Sequence, residues 1–272
     1  MSSPELWAET LTGGDGGDGT PIFVLHGFTG SAATMAPLAA ELGPGPVIGL
    51  DLPGHGRSPS PDPEDPSWSV EGHADLVARR IRDLSPGPVG LVGYSFGGRV
   101  ALTVTRHHPE VVAALVTVGA SPGIPDPGER ARRRESDEGL ARLIEDRGLP
   151  AFVDHWMGLP MWESLRRRRG ERWWEESRRQ RLDNRPGGLA TSLRRAGTGS
   201  MAPLAEHLDR MSTPTLLLAG AEDHRYVDLA GETAAALPGG WAMTIPHAGH
   251  AAHLEQPALC AAAIRCFLDY HR

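Results

Sequence analysis

The sequence predicts an α/β protein in which a mostly parallel sheet is wrapped by helices on both faces and carries an inserted helical cap. Short, continuously apolar runs alternate with stretches of helical periodicity along most of the chain, as a buried parallel sheet requires. Residues 121–200 break this alternation, because they contain helical patterns but no strand pattern. We therefore expect a core formed by residues 1–120 and 201–272, with residues 121–200 as the cap.

Each predicted element rests on its own local pattern. Strands are expected at residues 5–11, 22–25, 47–52, 88–92, 112–118, 215–219 and 242–245, and helices at residues 35–42, 70–84, 130–147, 171–182 and 256–270. Residues 13–19 are all glycine or aspartate, which predicts an exposed turn. The cap holds 17 arginines against 13 acidic residues, and we interpret the four arginines at 166–169 as a solvated helix face.

Composition and charge narrow the classes of function. The chain has 272 residues, a formal net charge of -7 and 27 basic residues, all of them arginine, so nucleic acid is not an expected partner. The first residues lack a signal-peptide pattern and no apolar run could span a membrane, so we expect a cytoplasmic protein without a membrane partner. Cys260 and Cys266 lie six residues apart in one helical pattern, which predicts two buried thiols and no disulfide. The oligomeric state is left open.

A candidate nucleophile stands at the end of the run at 88–92. Gly93-Tyr94-Ser95-Phe96-Gly97 has the G-x-S-x-G spacing, and an apolar helical pattern begins at Val100. In such a strand–turn–helix, glycines allow a sharp turn that lifts the serine hydroxyl above the sheet edge. Ser95 is therefore predicted to be a nucleophile or base; an alternative is a helix N-cap.

The chain also supplies a base and an acid for Ser95. Asp223 follows the strand at 215–219, and His250 follows the strand at 242–245, so both lie at carboxyl ends of strands. Asp223 would orient His250, and His250 would take the Ser95 proton. Nearby residues of the same types compete for these roles: Glu222, His224, His247 and His253.

Two backbone amides are expected to stabilise an oxyanion. One belongs to Phe96, directly after the nucleophile, and the other to Phe28, in the loop after the strand at 22–25. Because backbone groups donate, the side chains are uninformative, and Phe28 is equally interpreted as a packing residue.

These motifs together resemble the α/β-hydrolase superfamily. They are His26-Gly27-Phe28, the run at 51–58 (Asp-Leu-Pro-Gly-His-Gly-Arg-Ser), the serine turn and the late histidine. More narrowly, Gly97-Gly98-Arg99 and the cap are similar to the 2-succinyl-6-hydroxy-2,4-cyclohexadiene-1-carboxylate synthases of menaquinone biosynthesis. One departure is Asp223-His224-Arg225-Tyr226, where that family leads us to expect a lysine–aromatic pair after the acid.

The resemblance implies that Arg99, Arg133 and Arg181 contact substrate carboxylates and that Tyr94 and Trp156 line the pocket. Helix geometry supports Arg99 independently, because one turn after Ser95 its side chain points back toward the helix start.

Two alternatives remain open for these arginines. Arg99 could form a buried structural ion pair. In the cap, Arg130, Arg132 or Arg134 could face inward in place of Arg133.

The favoured hypothesis is a lyase that eliminates pyruvate from a small, anionic cyclohexene carboxylate, with the triad as a general base and without cofactor or metal. One alternative is a serine hydrolase of esters or carbon–carbon bonds that forms an acyl-enzyme. Another is a non-catalytic ligand-binding protein on the same fold, against which the complete Ser-Asp-His set argues.

Overall fold

The computed structural model describes residues 5–13 and 20–271, which are built around a seven-stranded sheet. In chain order the strands are β1 (Ala8–Thr12), β2 (Ile22–Leu25), β3 (Val47–Leu50), β4 (Val89–Tyr94), β5 (Val112–Val118), β6 (Thr215–Gly220) and β7 (Gly240–Ile245). They lie in the order β1-β3-β2-β4-β5-β6-β7. All neighbours are parallel except β1, which pairs antiparallel with β3. The predicted fold class, a mostly parallel α/β sheet, is confirmed.

Both faces of the central strands are covered, which explains their uninterrupted apolar sequences. Every residue of β2, β4 and β6 is buried. Alternate side chains of a strand enter different cores: Leu91 belongs to one hydrophobic cluster and Val92 to the other. Leu217 and Leu218 divide in the same way. A strand buried on both faces has no position that faces solvent. Its sequence therefore lacks the alternation of apolar and polar residues that marks a half-buried strand.

The helices lie between and beyond the strands. They are α1 (Ala36–Ala39), α2 (Val70–Leu84), α3 (Phe96–His107), α4 (Pro127–Met157), α5 (Glu163–Leu182), α6 (Pro186–Ala196), α7 (His224–Ala236), α8 (Ala252–Glu255) and α9 (Pro257–His271). The segment from β5 to β6 contains α4, α5 and α6, and no strand interrupts residues 119–214. In it, α4 packs along α6, while α5 contacts α8 of the core.

Two glycines explain why the cap helices were predicted too short. Helix α4 continues past the predicted end at 147 after a kink at Gly148 (φ +80°). Helix α5 begins before the predicted start at 171, because its first part ends in a kink at Gly170 (φ +75°). At positive φ a glycine breaks the helical pattern, although the chain resumes a helix directly afterwards.

Some expectations need correction. Cys266 is exposed, so only Cys260 is a buried thiol as predicted. The first strand is displaced from residues 5–11 to Ala8–Thr12, and most of the expected turn, residues 14–19, lies outside the described residues. No described helix has both the length and the apolar character needed to cross a membrane.

Candidate active site

Ser95 lies in a strained turn between β4 and α3. Its backbone has φ +49° and ψ −106°, a conformation that a residue with a side chain rarely adopts. The neighbouring backbone requires Gly97, because a Cβ there would lie 2.5 Å from the carbonyl oxygens of Leu25 and His26. The close approach of α3 to β2 therefore explains the glycine, and the strained turn explains why Ser95 stands at the sheet edge.

The structure brings Ser95, His250 and Asp223 into one hydrogen-bonded row. Ser95 Oγ lies 3.1 Å from His250 Nε2, and His250 Nδ1 lies 2.8 Å from Asp223 Oδ2. With Nδ1–H donating to the carboxylate, Nε2 is free to accept the serine proton. This geometry permits general-base activation of Ser95.

The competing residues lie elsewhere. His247 and His224 are exposed, and Glu222 forms ion pairs with cap arginines. His253 is buried against the ring of Tyr94, with centroids 4.1 Å apart. Burial, together with the nearby His250, lowers the pKa of His253 to about 3, so this side chain is neutral.

Phe28 and Phe96, whose amides are the predicted oxyanion donors, both lie beside Ser95. Both residues line the cavity that Ser95 lines. Phe96 is the first residue of α3, where a helical N–H has no partner within the helix. The Phe28 side chain packs edge-on against Trp156, with ring centroids 5.3 Å apart. Phe28 is therefore a packing residue, and the oxyanion role of its amide stays a prediction.

The buried side chains of Asp51 and His26 fix the loop that contains Phe28 through hydrogen bonds. Asp51 accepts hydrogen bonds from the amides of Ala32 (2.6 Å) and Arg57 (2.7 Å), linking the loops after β2 and β3. His26 Nε2 accepts the amide of Leu52 (3.0 Å), and burial lowers the pKa of His26 to about 4, which keeps that nitrogen unprotonated. These contacts account for much of the motif pattern in residues 26–28 and 51–58.

A cavity of about 310 Å³ opens onto Ser95 between the core and the cap. The core contributes Tyr94, at the end of β4, and Tyr226, in the first turn of α7, and the cap contributes Trp156 and Trp162. In the described part of the chain, four buried polar atoms of residues that line the cavity have no hydrogen-bond partner: the hydroxyl of Tyr94, the indole nitrogens of Trp156 and Trp162, and Oδ2 of Asp137. The first three can donate hydrogen bonds and are suited to an oxygen-rich ligand.

Two arginines of the predicted set line this cavity. Arg99 is buried and donates to the carbonyl of Ala196 (2.8 Å), and it forms no ion pair with a described residue. Burial and the neighbouring charge of Arg133 lower the pKa of Arg99 to about 10. Arg133 pairs with Asp137 (2.9 Å) and lines the cavity, which Arg130, Arg132 and Arg134 do not. Arg99 and Arg133 with the single carboxylate of Asp137 leave this part of the wall with a net positive charge.

Sequence reasoning missed two charged residues of the wall. Arg225 lines the cavity from the first turn of α7, and Asp137 lines it from α4. Burial raises the pKa of Asp137, while Arg133 lowers it. Arg225 stands two residues after Asp223, where the sequence suggested only a departure from the family pattern. The signal in the sequence was that Arg225 comes soon after a strand of the sheet, at the carboxyl edge where open α/β sheets bind ligands.

Arg181 is not part of the wall that Ser95 lines. It lines a separate cavity of about 70 Å³ with Phe28, Tyr94 and Trp162. The guanidinium donates to Thr29 Oγ1 (3.1 Å) and lies over the Trp162 ring, 5.3 Å from its centroid. Burial lowers the pKa of Arg181 to about 10, and no described acid pairs with it. Its predicted contact with substrate would require a ligand that passes Tyr94 or Trp162.

Among residues 5–13 and 20–271, no three His, Cys, Asp or Glu side chains are grouped so that they could hold a metal ion.

A parallel sheet whose central strand ends in a strained serine, with the acid and the histidine after later strands, is the architecture of the α/β hydrolases. The family model for the α/β hydrolase fold matches residues 20–257, so this chain belongs to the α/β-hydrolase family.

Within that family, its relatives point to a narrower group. A Bacillus subtilis (strain 168) protein assigned by name as a 2-succinyl-6-hydroxy-2,4-cyclohexadiene-1-carboxylate synthase is 35% identical over 254 residues, covering 91% of this chain and 89% of that protein. A synthase of the same name from Yersinia pestis (strain Pestoides F) is 30% identical over 90% of this chain and 86% of its own length.

Solved structures include both this group and a hydrolase. MenH from S. aureus superposes with a TM-score of 0.87 at 29% identity, covering 100% of this chain and 99% of that one. A thermophilic esterase from Thermogutta terrifontis superposes with a TM-score of 0.83 at 26% identity, covering 99% and 95%.

Proposed function

We propose that this chain is a carbon–oxygen lyase of menaquinone biosynthesis. Its substrate would be 2-succinyl-5-enolpyruvyl-6-hydroxy-3-cyclohexene-1-carboxylate, from which it eliminates pyruvate to give 2-succinyl-6-hydroxy-2,4-cyclohexadiene-1-carboxylate. The names of the Bacillus and Yersinia relatives support this reaction. The observation on which the proposal depends is the cationic wall of the Ser95 cavity.

The charge of the wall distinguishes an anionic from a neutral substrate. Arg99 is buried and forms no direct ion pair with a described acid; the Asp137 charge raises its pKa, but burial and Arg133 outweigh this effect, and a bound carboxylate would offset the cost. Arg133 and Arg225 also line the cavity, so its three guanidinium groups exceed the two carboxylates of Asp137 and Asp223 by one charge. A pocket for a small neutral ester gains nothing from this arrangement, whereas a substrate with several carboxylates does.

In the proposed mechanism the triad moves a proton and forms no covalent bond to substrate. His250 Nε2 takes the Ser95 hydroxyl proton, and Ser95 Oγ removes the proton on the ring carbon next to the succinyl ketone. The amides of Phe28 and Phe96 stabilise the resulting enolate oxygen. The electron pair of the enolate then shifts through the ring double bond, and the bond between the ring carbon and the enolpyruvyl oxygen breaks. Pyruvate leaves as its enolate, which gains a proton on carbon while His250 gives up the proton that it received from Ser95.

The roles of the binding residues follow from their places in the cavity. Arg99 and Arg133 would bind substrate carboxylates, while Tyr94 and Trp156 would line the ring. Arg181 would act on the substrate only through the smaller cavity behind Tyr94. The cytoplasmic location and the absence of a cofactor stay predictions.

A serine hydrolase is the second candidate, and the similarity to a thermophilic esterase favours it. It would use the same hydrogen-bonded row, but Ser95 would attack a carbonyl carbon and an acyl-enzyme would form. Loss of activity in a Ser95 variant cannot separate the two reactions, because both need the serine.

Rapid quenching during turnover separates the two candidates. The purified chain is mixed with the menaquinone-pathway intermediate, pyruvate is quantified, and intact protein is weighed by mass spectrometry at each time. The lyase predicts stoichiometric pyruvate release from enzyme of unchanged mass. A kinetically competent acyl-Ser95 would contradict the general-base mechanism. Efficient hydrolysis of a p-nitrophenyl ester without pyruvate release would contradict the lyase.

A further inference from the structure

Glu255 is a buried carboxylate with three hydrogen-bond donors, and none of the roles above uses it. Its side chain is fully buried at the end of α8. Oε1 accepts the amide of Gly249 (3.0 Å) and the hydroxyl of Ser164 (3.1 Å), and Oε2 accepts Arg168 Nε (3.2 Å). Burial raises the pKa of Glu255, and these same partners lower it.

One of these donors belongs to the residue before His250. The amide of Gly249 is fixed by Oε1, and its Cα faces Ser164 so closely that a Cβ there would overlap the Ser164 hydroxyl. The loop that presents the His250 imidazole is therefore fixed one residue before the histidine. A shift of about 1 Å in a catalytic group can cost roughly 100-fold in rate.

The other two donors belong to the cap. Ser164 and Arg168 lie on the first part of α5, and Arg168 also pairs with Glu222, in the loop that holds Asp223. The four arginines at 166–169 are thus not only a solvated face, since Arg168 is 25% exposed and bound to two carboxylates. Trp162, just before α5, packs edge-on to His250 with centroids 6.2 Å apart.

We propose that Glu255 is a positioning residue for His250: by holding the Gly249 amide against the start of α5, it sets the distance from His250 Nε2 to Ser95 Oγ. This inference rests on the proposed use of His250 as the base for Ser95, but not on the identity of the substrate. It predicts that Glu255 affects the reactivity of Ser95 toward any electrophile. A purely structural carboxylate would affect only the free energy of unfolding.

The test uses a neutral fluorophosphonate that labels activated serines. Ser95 Oγ bonds to phosphorus, fluoride leaves and His250 takes the serine proton, so the labelling rate reports activation without the natural substrate. The rate is measured by mass spectrometry for the wild type, Glu255→Ala, Glu255→Asp and Glu255→Gln, together with kcat and KM for pyruvate release. Glu222→Gln is the matched control, because it loses the other carboxylate on Arg168 and leaves Gly249 untouched.

We expect Glu255→Ala to lower the labelling rate and kcat by about 10- to 100-fold, with KM changed by less than about threefold. Glu255→Gln keeps an oxygen for Gly249 and should recover to within about threefold of the wild type, as should Glu222→Gln. If Glu255→Ala does not fold, Glu255→Asp decides, since its shorter side chain keeps the charge but withdraws the oxygens from Gly249.

The outcomes separate this inference from the proposed function. Labelling at the wild-type rate in Glu255→Ala or in a folded Glu255→Asp would overturn the positioning role. A wild-type chain that the fluorophosphonate does not label would overturn it as well, because Ser95 would not be activated. Absence of pyruvate release together with Glu255-dependent labelling would refute the lyase and support the positioning role.

Discussion

At the scale of single residues, Ser95, His250 and Asp223 differ in what they touch. Ser95 Oγ lies 3.1 Å from His250 Nε2, and the only side-chain hydrogen bond of Asp223 among the described residues is the one to His250 Nδ1, at 2.8 Å. We expect Ser95→Ala, His250→Ala and Asp223→Asn each to lower kcat by roughly 10³-fold or more, because the three act as one unit. Steady-state pyruvate release is the measurement, with thermal unfolding as the control for folding. Near-wild-type turnover in a folded variant would remove that residue from the mechanism.

The cap arginines offer a test of charge recognition with a control on the same helix. Arg133 lines the cavity from α4, whereas its neighbour Arg132 is exposed and does not. Arg133→Ala should lower kcat/KM for the anionic substrate by about 10- to 100-fold, or ~1.5–3 kcal/mol, because a charged hydrogen bond is lost. Arg132→Ala should leave it unchanged.

A neutral p-nitrophenyl ester completes this comparison. If Arg133 recognises charge, Arg133→Ala should handle the ester as the wild type does. Equal losses on both substrates would indicate that the Arg133–Asp137 pair supports the fold of α4.

At the scale of elements, α3 depends on a glycine contact with β2. Gly97→Ala would place a methyl group against two backbone carbonyl oxygens that cannot move aside. We expect it to lower the free energy of unfolding by ~1–3 kcal/mol or more, and to lower activity because α3 holds Ser95. Gly87→Ala is the control, since nothing lies within 4 Å of its added Cβ. Urea denaturation of both variants is the measurement, and equal stabilities would contradict the close contact.

Elements differed in how far the sequence could predict them. Helix α2 and strand β5 have the predicted bounds, because each has a regular apolar pattern with clear ends. The cap helices were misjudged at Gly148 and Gly170, where a local kink looks like an end. The antiparallel direction of β1 was not predictable, since pairing direction depends on the partner strand and five residues do not record it.

The residues of the candidate site also differ in how far the sequence could predict them. The places of Ser95, Asp223, His250, Phe28 and Phe96 at one edge of the sheet follow from chain order, because parallel strands bring their ends to the same edge. The cap positions did not follow in this way. Whether Arg181 or Arg225 faces Ser95 depends on how α5 and α7 pack, and the packing of a helix across a cavity leaves no local signal.

At the scale of the whole molecule, buried neutral histidines predict sensitivity to acid. Burial lowers the pKa of His55, His73 and His253 to about 3 and that of His26 to about 4. Their contribution to stability is complete above the unfolded pKa of about 6.5 and is lost as pH falls toward the folded values. Each should add ~1.4 kcal/mol per pH unit to the slope well below 6.5.

Urea denaturation between pH 7.5 and pH 5 measures this slope. Buried Asp137 and Glu255 oppose it, because burial raises the pKa of both carboxyls and their protonation then favours the folded state. His253→Gln, which removes one buried imidazole, should reduce the slope by about one proton. A slope in His253→Gln equal to that of the wild type would show that His253 does not take up a proton on unfolding, and would contradict a neutral buried imidazole.

Of the two cysteines, only Cys266 is accessible to a reagent in solution. Burial raises the pKa of the Cys260 thiol to about 12, whereas Cys266 is exposed on α9, a helix that contributes no residue to the Ser95 cavity. Because the chain contains no lysine, amine reagents find no side chain to modify. A maleimide at neutral pH should therefore attach one fluorophore, or one surface linker, to every molecule at the same place without any engineered cysteine.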